Sequence, residues 1–448
     1  MRHHSRKAGC GFLEVGLSAM ELMLQVYLLE LYLTAGLSPI YAGSALAIAA
    51  IWDALSDPIM GSISDSSKSD TAMGKRLVFM FPGVVLAAIS FYYLFSPSSG
   101  LTEMELFLRL IVSYLILNTG LTLLNVPYLA LINDLSSTSE ERAAYFGWRM
   151  VFSGIGLMVG LSIPVIVGQT VNDAQVALGG EGLLTIRADA GFWICIVLVI
   201  SFLVSIFSVW KVCSERIRNI DAGLRVLEAT RTALRSKGFI NVVCAFVFIS
   251  IGRAFNGSLA LIFYKGTLNL SENEVATVLV GLSVVIIVST PIWISLSKRY
   301  EKRRLCAYGS FALTLLTAVA YPLLSEGATY SLAVVVFLGG FSVASVVLLE
   351  LLFSDVIEKD GEEVGWQVSG AYYGLWRFGT KFARAWGLGV AGLFLGLIGF
   401  EKGTIGQTQF VERAVAWGFG PGVALFFFLG TYFIWRESKR LPEFSKTD

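Results

Sequence analysis

The sequence predicts an all-α membrane protein with twelve transmembrane helices arranged as two six-helix halves. The first observation is composition, because 55% of the 448 residues are hydrophobic and only 15% are charged. A soluble globular chain carries roughly 25% charged residues. The second observation is a series of twelve apolar segments, each about as long as the 20 residues that cross a bilayer. The third is the concentration of Lys and Arg in every second predicted loop.

The twelve apolar segments are numbered here in chain order as predicted spans. The first follows a short basic tail and is followed by further spans, so we expect a membrane anchor and not a cleaved signal peptide. The predicted spans lie near residues 12–34, 40–64, 77–95, 105–131, 145–170, 191–212, 238–264, 273–296, 304–324, 330–355, 366–399 and 414–436.

The basic residues predict the orientation of these spans. An even number of spans places both termini on one side of the membrane. Most of the 34 Lys and Arg residues lie on that side, in dense groups at 211–237, 298–304 and 436–446. Because positively charged loops stay in the cytoplasm, we expect a multi-pass protein of the cell membrane with both termini cytoplasmic.

The long basic loop divides the chain into three predicted regions. These are an amino-terminal half over 1–212, a central cytoplasmic loop over 213–237 and a carboxy-terminal half over 238–448. A short polar loop rich in Gly and basic residues follows the second span, and a similar basic loop follows the eighth. The similarity of these two loops favours a duplicated transporter fold with its site between the halves at mid-membrane. The alternative is that basic residues mark any inner loop.

Composition also excludes several functions. A net charge of +1 gives no basis for nucleic-acid binding. The five cysteines occur singly, so neither a disulfide framework nor a zinc site is indicated. The only histidines, His3 and His4, lie in the amino-terminal tail, which rules out a histidine-based triad in the core. We therefore expect a monomeric non-enzyme without a cofactor, whose partners are the lipid bilayer, a small molecule and a coupling ion.

Two acidic residues in the second span carry the strongest functional signal. Asp53 and Asp57 are four residues apart, which places both on one helix face with Cβ atoms about 6 Å apart. A carboxylate in hydrocarbon costs roughly 3 kcal/mol and marks a functional-site candidate. A bound cation is the simplest reason to keep both, and Ser56 adds an oxygen beside them. The alternative is a structural ion pair with a Lys or Arg.

Polar residues in the other spans suggest partners for this site. Thr122 and Asn125 share a face of the fourth span, where a site role and plain interhelical hydrogen bonding stay equally open. In the first span, Glu21 is expected to face the central cavity. In the eleventh, Lys381 needs a counter-charge, and Asp53 and Asp57 are the obvious partners. Lys381 would then alternate with the bound ion, unless it forms a permanent ion pair.

The stretch Ile51–Gly61 resembles the signature of the glycoside–pentoside–hexuronide cation symporters, the melibiose permease branch of the major facilitator superfamily. The resemblance continues through Trp148–Phe152 and Tyr373–Trp376 to Lys381. It implies a major facilitator fold that works by alternating access, with Na⁺ or H⁺ as the coupling ion. The family's cation ligands correspond here to Asp53, Ser56, Asp57 and Thr122. Asp53 and Asp57 would be the carboxylates that bind Na⁺. Arg149 and Lys381 match the family's charge-balancing residues.

The resemblance is weaker where the family binds sugar. The first-span aspartate of melibiose permease falls near Ser18, with Glu21 one turn further on, and the fourth-span aspartate is replaced by Asn125. A carboxylate clamp on a galactoside is therefore absent. The predicted substrate site lies beside Ser18, Glu21, Asn125, Arg149 and Trp376, and a sugar or glycoside is the first predicted substrate.

Two other functions stay open. Gln25–Glu30 and Thr380–Ala383 resemble stretches of the vertebrate sodium-dependent lysophosphatidylcholine symporters, so a lysolipid is the main alternative substrate. A non-transporting membrane sensor on the same fold is a remote alternative, which the complete cation motif disfavours. The run Gly387–Gly392 matches GxGxxG, but it lies inside an apolar helix without a preceding strand and predicts close helix packing instead.

Overall fold

The computed structural model describes residues 2–66, 74–98, 100–135, 139–170, 180–213, 226–325, 327, 329–364, 369–401 and 407–438. Regular secondary structure within these ranges is helical. The α-helices are α1 (Arg2–Gly11), α2 (Leu13–Thr34), α3 (Pro39–Ser66), α4 (Gly74–Phe95), α5 (Glu103–Leu135), α6 (Ser139–Thr170), α7 (Gly180–Cys213), α8 (Val226–Arg235), α9 (Lys237–Ile262), α10 (Glu272–Leu296), α11 (Lys302–Leu323), α12 (Thr329–Ala344), α13 (Val347–Val364), α14 (Ser369–Leu397), α15 (Gln409–Trp417) and α16 (Val423–Ser438).

Eleven helical segments in the described residues are long and apolar enough to cross a membrane. They correspond to the predicted spans except the eleventh. That span forms α14, a continuous helix of 29 residues. Arg377, Lys381 and Arg384 lower its mean hydropathy, so length and apolar composition alone do not select it.

Several spans are less regular than the sequence predicts. The tenth is interrupted at residues 345–346, between α12 and α13. The twelfth consists of α15, a π-helical turn at Gly418–Gly422 and α16, and a second π-helical turn at Phe263–Thr267 follows α9. Residues 214–225 of the predicted central loop lie outside the described residues, and the remainder of that loop includes α8.

The chain forms two compact units. The first comprises Met1–Ile220, Ser271–Ala276 and Leu388–Thr408. In it, α2 packs extensively on α6 and α7, and α5 packs on α3 and α4. Small residues allow these close approaches, since a Cβ added to Gly160 of α6 would lie 2.7 Å from the backbone oxygen of Ala19 in α2.

The second unit comprises Asp221–Leu270, Thr277–Gly387 and Gln409–Asp448. Its core forms where α16 packs on α9 and α11. Aromatic side chains fill the space around the two π-helical turns, where the Phe263 and Phe419 rings stack at 4.4 Å and Tyr321 meets Phe419 edge-on at 4.7 Å. The predicted division of the chain at 213–237 stays a prediction.

Large apolar side chains cover the outward faces of the helices. Phe207 and Leu397, for example, are each 76% exposed, whereas several serines and threonines are buried. Soluble monomers rarely expose extensive apolar surface. The outward faces therefore suit lipid as the surrounding solvent.

Candidate cation site

The predicted cation ligands lie on two neighbouring helices of the first unit. Asp53, Ser56 and Asp57 belong to α3, and Thr122 belongs to α5. Because residues three and four apart share a helix face, the three α3 residues lie on one side of that helix. The contacts between α3 and α5 show that this side faces α5.

Three hydrogen bonds set how α3 and α5 lie against each other. Asn118 Nδ2 donates to the backbone oxygen of Ala49 at 2.7 Å, and Trp52 Nε1 donates to Thr119 Oγ1 at 3.0 Å. One turn later, Thr122 reaches α3 again. Residue numbers rise along both helices from contact to contact, so α3 and α5 run side by side in the same direction.

Oxygen atoms form a continuous cluster at the Thr122 level. Thr122 Oγ1 donates to Asp57 Oδ1 at 3.0 Å. The hydroxyl oxygens of Ser56 and Thr122 are 3.0 Å apart, and Ser56 Oγ lies 3.1 Å from the backbone oxygen of Asp53. Two hydroxyl hydrogens serve these three contacts, so the cluster has more lone pairs than protons. An excess of oxygen lone pairs is what a hard cation binds.

The two carboxylates differ in exposure. The side chain of Asp53 is buried, with 4% of its surface exposed, and that of Asp57 is half-buried. Two like charges one helical turn apart repel each other in a medium of low dielectric constant. A cation between them would remove this repulsion, and the carboxylate, hydroxyl and carbonyl oxygens present fit such an ion.

Arg149 contacts a carboxylate that the sequence analysis did not assign to the site. Arg149 of α6 forms an ion pair with Glu14 of α2, in which Nε donates to Oε1 at 2.6 Å. The aromatic rings of Tyr128 and Phe146 flank its guanidinium at 5.1 and 5.3 Å. A substrate anion at Arg149 would therefore compete with Glu14. The sequence signal for this pair was the position of Glu14 two turns before Glu21.

The remaining first-unit predictions have separate environments. Ser18 is buried, and its hydroxyl lies 2.7 Å from that of Ser153 in α6. Glu21 is exposed. Asn125 is half-buried and follows Thr122 by three residues on α5, so it borders the oxygen cluster. Of the predicted substrate residues in this unit, Asn125 is the one that shares a helix face with a predicted cation ligand.

The second unit contains the other two predicted site residues, both on α14. Lys381 is half-buried. The indole of Trp376 is stacked between two phenyl rings, with Phe246 at 3.8 Å and Phe353 at 4.3 Å. Both indole faces are thus covered, which leaves the ring edge to contact a substrate. Charge balancing by Lys381 stays a prediction.

Two further ion pairs went unnoticed in the sequence. In the first unit, fully buried Arg187 of α7 pairs with Glu30 of α2 at 3.2 Å and lies 4.2 Å from the Tyr27 ring. In the second unit, Lys302 Nζ lies 2.8 Å from both carboxylate oxygens of Asp355. In the sequence, a charged residue near a span end is interpreted as a charge at the membrane interface. Neither pair was therefore predictable from one helix alone.

Comparison with known proteins identifies the family. The family model for MFS/sugar transport proteins matches residues 8–438. This chain belongs to that family. Among curated relatives, the uncharacterized symporter YjmB of Bacillus subtilis is 24% identical over an alignment of 415 positions, which covers 90% of this chain and 85% of YjmB. The sodium-dependent lysophosphatidylcholine symporter 1 of Mus musculus is 25% identical over an alignment of 422 positions, which covers 88% of this chain and 77% of the mouse protein.

Solved structures show the same fold. A bacterial homologue of the human lysosomal transporter Spinster, inward-facing and unoccupied, superimposes with a TM-score of 0.69 at 14% identity, covering 98% of this chain and 97% of the other. The nucleoside transporter NupG gives 0.64 at 16% identity, with coverage of 97% and 99%. The predicted all-α major facilitator fold is thereby confirmed. The relatives and solved neighbours are transporters and not enzymes, and several relatives are symporters.

Proposed function

We propose that this chain is a Na⁺-coupled symporter whose coupling ion binds Asp53, Asp57, Ser56 and Thr122. The observation that carries the proposal is the oxygen cluster between α3 and α5, where Thr122 donates to Asp57 and also contacts Ser56. A symporter needs a site whose charge changes when the ion leaves, and two adjacent carboxylates supply that change. The symporter relatives support the same class of activity.

The composition of the cluster favours Na⁺ over H⁺. A proton binds one carboxylate oxygen and needs at most one acceptor beside it. A sodium ion binds several oxygens at once, as hard cations do. The hydroxyls of Ser56 and Thr122 can therefore serve as ligands of a sodium ion. Coupling to a proton would not require both of them.

A single ion supplies enough free energy for concentrative transport. One Na⁺ moving down a tenfold gradient releases about 1.4 kcal/mol, and a membrane potential adds about 2.3 kcal/mol per 100 mV. Together these support an accumulation of several hundredfold for a neutral solute. One oxygen cluster of this kind is therefore sufficient for the proposed function.

The first candidate substrate is a sugar or glycoside. The family model covers sugar transport proteins. Asn125 borders the cation cluster and offers an amide donor and acceptor for a hydroxyl group, and Ser18 offers a hydroxyl on α2. A solute bound beside Asn125 would lie within one helical turn of Thr122, so binding of the solute and of the ion would be coupled through α5. An amide and a hydroxyl suit the hydroxyl groups of a neutral polyol.

The second candidate substrate is a lysophospholipid or a similar amphiphile. Sodium-dependent lysophosphatidylcholine symporters from several vertebrates are 24–26% identical to this chain. The guanidinium of Arg149 can bind a phosphate group in a bidentate manner. The phosphate would then replace the Glu14 carboxylate as the partner of Arg149. The covered faces of Trp376 also favour this candidate, because sugar rings commonly stack on an open indole face and none is open here.

The decisive experiment is Na⁺-dependent uptake into proteoliposomes containing the purified protein. The substrates are a panel of labelled sugars, glycosides and lysophosphatidylcholine. Each is tested with the parent, with Asp57→Asn, and with Asp189→Asn as a matched control, because Asp189 is an exposed aspartate of α7. Binding of Na⁺ is measured in parallel by calorimetry on the detergent-solubilised protein.

Each outcome decides a different part of the proposal. We expect uptake of one substrate class that requires Na⁺, is lost in Asp57→Asn and persists in the control. Equal transport by Asp57→Asn and the parent would show that the acidic pair has a structural role only. No uptake across the panel, with Na⁺ binding lost in Asp57→Asn, would refute the substrate assignments and support the cation site.

A further inference from the structure

Asn118 is a buried polar residue that is not among the four proposed cation ligands. Its side chain lies on α5 with 0% of its surface exposed. Its Nδ2 donates to the backbone oxygen of Ala49 on α3 at 2.7 Å. Its Oδ1 is also buried, and no group in the described part of the chain donates a hydrogen bond to it. A buried amide oxygen without a donor is destabilising, and within a membrane no bulk water compensates for it.

A purely structural contact between the helices does not require this oxygen. Thr119, the next residue, joins α5 to α3 through a hydroxyl that accepts from Trp52 and donates to the backbone oxygen of Leu115. The Thr119 hydroxyl thus both donates and accepts, and it leaves no buried polar atom without a partner. An asparagine adds a second polar atom, and the amide oxygen of asparagine is a common ligand of hard cations.

The position of Asn118 places this oxygen beside the cation cluster. Asn118 precedes Thr122 by four residues and therefore lies on the same face of α5. Its partner Ala49 precedes Asp53 by four residues on α3. Asn118 thus lies one turn before Thr122, at the Asp53 end of the cluster, whereas Thr122 donates to Asp57 at the other end.

We infer that Asn118 Oδ1 is a further ligand of the coupling cation and completes its shell on the Asp53 side. This inference rests on the proposed function, since it requires a cation between Asp53 and Asp57. Hydrogen bonding of Nδ2 to Ala49 fixes the amide so that Oδ1 cannot rotate away without losing that bond. A neutral amide supplies an oxygen without a third negative charge, which suits a monovalent ion between two carboxylates.

The test measures cation binding to the full-length purified protein by calorimetry, without substrate. Asn118→Leu keeps the approximate volume and removes the oxygen. We expect its Na⁺ dissociation constant to rise tenfold or more, with a changed ratio of Li⁺ to Na⁺ affinity because a ligand is lost. The control is Thr119→Val, which removes the neighbouring interhelical hydrogen bond and should leave both values within twofold of the parent. Parental Na⁺ affinity and Li⁺/Na⁺ ratio in Asn118→Leu would overturn the inference.

A second variant keeps the test decisive if Asn118→Leu does not fold. Asn118→Asp retains the oxygen and gives the site three carboxylates, so Ca²⁺ should bind and displace Na⁺ competitively. A residue that only joins the helices would not produce this gain, and its absence would refute the assignment. Asp57→Asn is measured beside both variants. If Asp57→Asn binds Na⁺ as the parent does, the proposed function itself fails; if it loses Na⁺ while both Asn118 variants match the parent, only this inference fails.

Discussion

Replacing Thr122 by valine tests how the oxygen cluster discriminates between its ion-bound and ion-free forms. Valine has nearly the same shape as threonine but lacks the hydroxyl, which donates to Asp57 at 3.0 Å and lies 3.0 Å from Ser56 Oγ. A hydrogen bond to a charged acceptor contributes about 1.5–3 kcal/mol. Loss of that bond alone destabilises the ion-free form and would, by itself, tighten Na⁺ binding.

Thr122→Val removes more stabilisation from the ion-bound form than from the ion-free form. The hydroxyl hydrogen and the oxygen lone pairs point in different directions, so Thr122 can donate to Asp57 and bind the cation at the same time. The hydrogen-bond loss then occurs in both forms and cancels, and the lost ligand remains as the net effect. We expect a net weakening of about tenfold in Na⁺ affinity, which corresponds to about 1.4 kcal/mol.

The assay is calorimetric titration of Na⁺ into the parent, Thr122→Val and Thr122→Ser. Serine restores the hydroxyl and should bind Na⁺ within threefold of the parent. Thermal unfolding of all three proteins separates a loss of ligand from a general loss of structure. Tighter or unchanged Na⁺ binding by Thr122→Val would refute the reasoning, because the hydroxyl would then serve Asp57 in the ion-free form and make no contact with the ion.

Two further predictions concern packing in the first unit. Glu30→Gln removes the carboxylate that pairs with buried Arg187, and breaking a buried pair costs about 3–5 kcal/mol of folding free energy, which thermal unfolding should show. The double variant with Arg187→Gln should lose less stability than the sum of the two single losses. Additive losses would contradict the pairing. Gly43→Ala adds a Cβ 2.7 Å from the Cα of Gly392, so α3 and α14 must separate and the unfolding temperature should fall, while Gly147→Ala, which meets no atom within 4 Å, should leave it unchanged.

The sequence predicted features that depend on one helix at a time. Apolar length defines a span, and the four-residue spacing places Asp53 and Asp57 on one face whatever lies opposite. The glycine run of α14 was expected to permit close helix packing, and Gly392 does approach Gly43 of α3. Each of these follows from helical geometry and hydrophobicity, which are local properties of the chain.

Contacts between distant helices could not be predicted in the same way. For Thr122 and Asn125 of the fourth span, the sequence left a site role and plain interhelical hydrogen bonding equally open. Only the packing of α5 on α3 brings Thr122 to Asp57 and leaves the Asn118 oxygen without a donor among the described residues. The ion pairs of Arg149 with Glu14 and of Arg187 with Glu30 join residues more than 130 positions apart.

Composition and residue spacing were therefore sufficient to predict the membrane class, the spans and the acidic pair. Which oxygens surround that pair, and which charged residues form ion pairs, depends on how the helices pack. The physical reason is that helix rotation and register are set by side-chain packing between helices, and no single-helix pattern specifies them.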